Sequence, residues 1–265
     1  MARIAVVGVG HLGESVLTGL LRSGIDQDDI RGIELIPERA RDIARKHGID
    51  CTHAGLADAR QADIILIAVR PKDVRPVVEE IAAGPVNAVV CTLAAGIEIK
   101  AVEEGLGGGP VVRAMTNTAS AHRQAVTALT RGGQVRDTQF TAVKTLFEHL
   151  GSVVEIPEEQ QNMATALAGS GPAFLYYLAD AMAQAATEYG IERKDADTMV
   201  EQMLRGAGVL LQESGEEPSE LIGHIATPGG TTKAGLSVLD DRETSNVIRK
   251  AVLRTAQRSK ELSAG

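Results

Sequence analysis

Four apolar residues, Ile4-Ala5-Val6-Val7, run without a break into Gly8-Val9-Gly10-His11-Leu12-Gly13, and an amphipathic helical pattern starts at once. No other stretch constrains the fold as tightly, because it reads as strand, glycine turn and helix start in that order. Leu12, Val16, Leu17, Leu20 and Leu21 share one helical face, and Gly24 stands where a C-cap belongs. In such a turn the first glycine permits the bend, the second leaves room for a pyrophosphate beside the backbone, and the third lets the helix lie close to the strand. The N–H groups at the helix start then face an anion. Gly8, Gly10, His11, Leu12 and Gly13 are therefore candidate dinucleotide-binding residues, with His11 placed to touch cofactor phosphate.

The following segments continue the alternation. Residues 30–36 read as a strand, and Pro37-Glu38 opens a helix that His47-Gly48 stops. Glu34 lies about twenty residues beyond the glycine turn, where a dinucleotide fold places the acid that hydrogen-bonds the adenosine ribose. A second reading stays open, in which Glu34 faces solvent and Arg39 or Arg41 meets a 2′-phosphate. Residues 63–69 form a continuous apolar run typical of a buried parallel strand, followed by Arg70-Pro71-Lys72 at the ligand edge. Residues 86–94 and 110–115 read as further strands, ending in Ala95-Gly96 and in Thr116-Asn117-Thr118. Ligands of open α/β sheets sit at the carboxyl ends of strands, and small residues there leave space for a flat ring. Ala68, Val69, Arg70, Pro71, Ala94, Ala95, Gly96 and Asn117 thus join the cofactor set. Residues 125–130 and 152–156 read as the last strands, around an amphipathic helix over 137–149.

Beyond Pro157 no convincing strand remains, and the chain is rich in Ala, Leu, Met and paired charges. The expected fold class is α/β: a Rossmann-like, doubly wound sheet over residues 1–157, followed by an all-helical domain over 158–265. Gly169-Ser170-Gly171-Pro172 interrupts the helical run, and Pro172 can open the next helix. Ser170 lacks the spacing of a nucleophile elbow. The formal charge of −8 and the absence of Trp argue against a nucleic-acid surface. No apolar stretch reaches membrane-span length, and no segment reads as a signal peptide. Cys51 and Cys91 have neither disulfide-framework nor metal spacing, and the six histidines show no ligand pattern, so the expectation is a cytoplasmic protein without metal.

Several separated motifs resemble those of the pyrroline-5-carboxylate reductase family, and the resemblance covers nearly the whole chain. They are the glycine turn, Ala68-Val69-Arg70-Pro71, Ala94-Ala95-Gly96-Ile97, Arg113-Ala114-Met115-Thr116-Asn117-Thr118, Thr165-Ala166-Leu167-Ala168-Gly169-Ser170-Gly171-Pro172-Ala173-Phe174 and Thr227-Pro228-Gly229-Gly230-Thr231-Thr232. The last two are the family-specific ones. Arg70, Ala119, Ala168 and Lys233 depart from the residues usual at their positions. The resemblance implies hydride transfer from NADPH or NADH to the C=N carbon of 1-pyrroline-5-carboxylate, giving L-proline. It also implies that residues 158–265 serve the substrate and dimerisation, so that the protein is a homodimer or a larger homo-oligomer.

Gly229, Gly230, Thr231, Thr232 and Lys233 are the candidate substrate-binding residues. Glycines before a helix let backbone N–H groups converge on a carboxylate, and the Thr232 hydroxyl reaches the ring nitrogen as the catalytic donor. The plainer alternative is a glycine turn in which Thr231 only caps the helix. Lys233, a cation beside this loop, keeps open a related reductase acting on a different cyclic imine, and a non-catalytic dinucleotide-binding regulator is the other rival. With Glu34 at the ribose, NADH is expected to serve at least as well as NADPH.

Overall fold

The computed structural model describes residues 2–53 and 55–263 and divides into two compact units. One runs to Gly169 and includes the chain from Thr255 onward; the other is Ser170–Arg254.

The first unit is an eight-stranded sheet. Its strands are β1 (Ile4–Val7), β2 (Ile30–Ile33), β3 (Asp50–Thr52), β4 (Ile64–Ile67), β5 (Val89–Thr92), β6 (Val111–Met115), β7 (Ala125–Arg131) and β8 (Gly151–Glu155). They lie in the order β3-β2-β1-β4-β5-β6-β7-β8. β1 is central to the parallel part, with Ile4 level with Ile30 on one side and Ile64 on the other. Its residues alternate between two cores, as a period of two requires. Ile4 and Val6 join Val16, Leu17 and Leu20 of α1 (His11–Arg22), Ile43 of α2 (Pro37–His47), and Val143 and Phe147. Ala5 and Val7 join Val74, Val77 and Ile81 of α3 (Pro71–Ala82) and Val102 of α4 (Ile99–Gly105). Val143 and Phe147 belong to α5 (Asp137–Glu148). Leu17 and Leu20 are fully buried, and such a side chain contributes roughly 1.5–3 kcal/mol of burial.

Two sequence expectations change. β2 stops at Ile33, and Leu35 and Ile36 are 69% and 58% exposed, because the chain turns away after Glu34 to enter α2. β7 runs antiparallel to β6, while β8 is parallel to β7, so the sheet is doubly wound only as far as β6. The link from β6 to β7 is a short 3-10 turn, Thr118–His122, too short for the crossover that parallel strands need. The first compact unit runs on beyond Pro157 to Gly169. Between these points lie the 3-10 turn Glu158–Gln160, the one-turn helix α6 (Gln161–Ala164) and the π-turn Thr165–Gly169. Gln161 is fully buried and donates from Nε2 to Thr130 Oγ1 at 2.9 Å and to Ala128 O at 3.3 Å, tying this segment to β7.

The second unit is helical: α7 (Gly171–Glu188), α8 (Arg193–Glu213), α9 (Pro218–Ile225), α10 (Thr231–Asp241) and most of α11 (Thr244–Ser263). Its buried apolar residues, among those described, are Ala183, Ala196 and Val200. Tyr176 and Tyr177 are 69% and 82% exposed, and Leu175, Met199, Val209 and Ile248 are exposed as well. So small a core beside so much uncovered apolar surface is the signature of a surface built for another chain. Light scattering at micromolar concentration is expected to give at least twice the single-chain mass; a monomer would contradict this.

Candidate functional site

The glycine turn divides its work among three positions. Gly8 adopts φ +86° and donates its N–H to Ile33 O at 2.8 Å. A β-carbon on Gly8 would stand 2.6 Å from Val69 Cγ1. One on Gly13 would stand 2.1 Å from the Gly8 carbonyl oxygen, so α1 rests directly on the turn. Gly10 is different: nothing lies within 4 Å of a β-carbon placed there, and it precedes α1 without any side-chain cap. The first-turn N–H groups of α1 have no intrahelical partner and meet open space at Gly10, a cradle that fits a pyrophosphate. His11 is exposed at the helix start, while Leu12 is half-buried against the core.

The other cofactor candidates lie at the carboxyl ends of adjacent strands, in the order Glu34 (β2), Gly8 (β1), Ala68 and Val69 (β4), Ala94 to Gly96 (β5) and Asn117 (β6). Ala68 donates its N–H to Val7 O at 2.8 Å, and Leu93 donates to Ile67 O at 2.9 Å, which keeps these ends level. Arg70 is exposed, its Nε 2.9 Å from Asp73 Oδ2, and Pro71 begins α3. The Asn117 side chain is already committed: Oδ1 accepts from the Ala119 N–H at 2.9 Å, and Nδ2 donates to Ala168 O at 3.1 Å.

Glu34 does not face solvent. Its side chain is 11% exposed, Oε2 accepts from the Val9 N–H at 3.1 Å, and Oε1 accepts from the Ile36 N–H at 3.2 Å. Arg39 lies beside it, with Nε donating to Val9 O at 2.7 Å and standing 3.9 Å from Glu34 Oε2. The acid and the arginine that the sequence offers as alternatives are therefore neighbours on the same turn. Arg41 is exposed.

Sequence reasoning missed Glu14. This first-turn residue of α1 meets Arg39 Nη2 at 3.1 Å, Lys46 Nζ at 2.8 Å and His47 Nε2 at 3.2 Å. Burial pushes its carboxyl up, but the hydrogen bonds from Lys46 and His47 and the charges of Lys46 and Arg39 outweigh that and hold it below the ordinary value. The available signal was the three basic residues Arg45, Lys46 and His47 closing α2, which favour its carboxyl end; only the fold brings Lys46 and His47 to Glu14.

In the second unit, Gly229 adopts φ +73° and Gly230 precedes α10. Gly230 donates its N–H to Thr227 O at 3.0 Å, and a β-carbon on it would stand 2.6 Å from Thr227 Oγ1. Thr231 is the first helical residue and no side chain caps α10, so the capping role is not realised. Thr231 and Lys233 are exposed and Thr232 is half-buried.

Cys51 and Cys91 are free thiols. Burial, then the charges of Glu34 and Asp50, push Cys51 up to about 11, and burial pushes Cys91 up as well. Among the described residues no three His, Cys, Asp or Glu side chains are placed to hold a metal, and no helix is long and apolar enough to cross a membrane.

The uncapped glycine turn at the reversal of strand order, with an acid at the end of the neighbouring strand, defines a Rossmann-type, nicotinamide-dependent oxidoreductase. Residues 3–96 match a family model described as NADP oxidoreductase, coenzyme F420-dependent, and residues 158–262 match one described as pyrroline-5-carboxylate reductase dimerisation. The chain belongs to the pyrroline-5-carboxylate reductase family. A member from Mycobacterium tuberculosis is 35% identical, over 99% of this chain and 97% of its own length. One from Corynebacterium melassecola is 33% identical over 99% of each. The solved Coxiella burnetii enzyme superimposes with a TM-score of 0.91 at 28% identity, covering 99% of this chain and 98% of that one. The Plasmodium falciparum enzyme, solved with NADP bound, shares the fold at 23% identity with a TM-score of 0.89, over 99% and 98%.

Glu14 gives a pH test. Its folded value lies below the ordinary 4.5, so its contribution to stability is present above that pH and is lost as pH falls through the folded value. Glu14→Gln is expected to lower Tm at pH 7 and to flatten the fall of Tm below pH 4.5. Melting curves between pH 3 and 8 that superimpose on the parent's would contradict this.

Proposed function

We propose that the protein reduces 1-pyrroline-5-carboxylate to L-proline with a reduced nicotinamide dinucleotide. The observation that carries this reading is the loop Thr227-Pro228-Gly229-Gly230-Thr231-Thr232 opening an uncapped helix, in a chain whose full-length relatives are pyrroline-5-carboxylate reductases. In this reading Gly8, Gly10, His11, Leu12 and Gly13 hold the pyrophosphate, and Glu34 with Arg39 attends the adenosine ribose. Ala68, Val69, Arg70, Pro71, Ala94, Ala95, Gly96 and Asn117 wall the nicotinamide half.

The reduced nicotinamide, when bound, supplies the hydride. The chain's task is positioning, which carries much of the rate in such chemistry. Gly229 and Gly230 keep side chains away from the first N–H groups of α10, and those donors take the substrate carboxylate. Lys233 adds a positive charge to the same end. As hydride adds to the imine carbon, the C=N π electrons settle on the ring nitrogen. That nitrogen keeps or takes up a proton beside Thr232 Oγ1. The free thiols suit a reducing, cytoplasmic setting, and the apolar surface of the second unit suits a homodimer, alone or within a larger homo-oligomer.

An assay of NADH and NADPH oxidation against five- and six-membered cyclic imines tests the reading. Preference for a six-membered or sulfur-containing ring would move the assignment to a sister reductase, and cofactor binding without turnover of any imine would leave a regulator. Thr232→Val keeps the side-chain shape and removes the donor. Losing a hydrogen bond to a charged group costs about 1.5–3 kcal/mol, roughly ten- to two-hundredfold in kcat/KM, while Tm stays close to the parent's. A change within twofold would remove Thr232 from the mechanism.

A second prediction concerns the nucleotide. Glu34 repels a 2′-phosphate, so NADH is expected to serve at least as well as NADPH. Glu34→Ser removes the repelling charge while Arg39 stays on Val9 O and Glu14, and is expected to shift the kcat/KM ratio towards NADPH. A parent enzyme strongly selective for NADPH would overturn this.

A further inference from the structure

Arg113, at the centre of β6, is 2% exposed, and among the described residues one carboxylate answers its charge. Nη1 lies 3.2 Å from Glu158 Oε1, while Nε and Nη2 are buried with no hydrogen-bond partner among the described residues. A buried guanidinium satisfied this sparsely is costly. The same Glu158 oxygen accepts the N–H of Ile99, the first residue of α4, at 2.7 Å. Glu98, which precedes that helix, provides no cap of its own. A carboxylate fifty-nine residues away therefore does the work a local cap usually does, and it is kept in place by a buried arginine.

What this arrangement fixes is the turn after β5. Residues 93–98 run from the end of β5 to the start of α4, so one end of the turn is set by the strand and the other by Glu158. Between them, Ala95 packs on the cluster of Met115, Ala128 and Ala168. Ala168 ends the same segment that Glu158 begins, and its carbonyl accepts from Asn117 Nδ2 at the end of β6. The 158–169 segment thus clamps two neighbouring walls of the proposed nicotinamide site, Ala94 to Gly96 and Asn117.

We propose that Glu158 is a positioning residue for the reduced cofactor, held in place by Arg113, and that it acts by anchoring the start of α4 and with it the Ala94-Ala95-Gly96 wall. This rests on the reading of the site given above. Four variants test it: Glu158→Ala, Glu158→Gln, and each of these combined with Arg113→Met. Steady-state kinetics are read beside Tm and a titration of NADH fluorescence, which needs no turnover.

Glu158→Ala is expected to raise both KM and Kd for the reduced dinucleotide about tenfold, the order set by one lost hydrogen bond to a charged group, with KM for the imine unchanged. Glu158→Gln/Arg113→Met keeps an acceptor for Ile99 and removes the stranded charge, so it is expected to return to within about threefold of the parent. Glu158→Ala/Arg113→Met lacks the acceptor and is expected to stay weak even where its Tm recovers. If that last variant binds and uses the dinucleotide like the parent, or if the variants lose only Tm, the pair is structural and the inference falls by itself. If the unaltered enzyme oxidises neither nucleotide with any imine, the functional reading falls and takes the inference with it.

Discussion

The contact on which the first unit depends is one that only a missing side chain allows. A β-carbon on Gly13 would stand 2.1 Å from the Gly8 carbonyl oxygen, well inside contact distance. With hydrogen there instead, α1 settles against the turn and its stripe of Val16, Leu17 and Leu20 reaches the sheet. The same closeness aims the helix start at the gap beside Gly10. The packing of one core and the orientation of the proposed anion site therefore follow from one interatomic approach, and neither can be adjusted without the other.

Electrostatics around that turn are arranged so that its negative groups are answered by protein cations. Glu34 accepts two backbone N–H groups with Arg39 beside it, and Glu14 is met by Arg39, Lys46 and His47. Arg39 is shared between the two acids, which couples the acid at the end of β2 to the first turn of α1. A change in either carboxylate is felt by the arginine, and through its bond to Val9 O by the glycine turn.

How much was legible in the sequence depended on how local the cause was. The glycine turn, the buried strands and the all-helical second half rest on short apolar runs, on period and on caps, all written within a few residues. α3 and α4 went unread because Pro76 lies inside one and the other has only seven residues. β3 is three residues long and none of them is buried. The direction of β7 is set by its pairing with β6 and leaves no mark in its own pattern. The candidate residues were read from spacing and family resemblance, but their partners were not. Nothing near Glu14 in the chain announces Lys46, nothing near Asn117 announces Ala168, and nothing near Ile99 announces Glu158. Likewise Pro157 marks a real change of composition, yet Gln161 bonds back to β7 and carries the first unit on to Gly169.

Gly10 and Gly13 stand three positions apart, and the surrounding structure treats them in opposite ways. At Gly13 the backbone itself objects to a larger residue; at Gly10 nothing within 4 Å does. Heat, protease or expression level would therefore register damage at Gly13 and stay blind to damage at Gly10, where a side chain would meet only the proposed pyrophosphate. Catalogues of harmful variants built on folding alone would pass over that position.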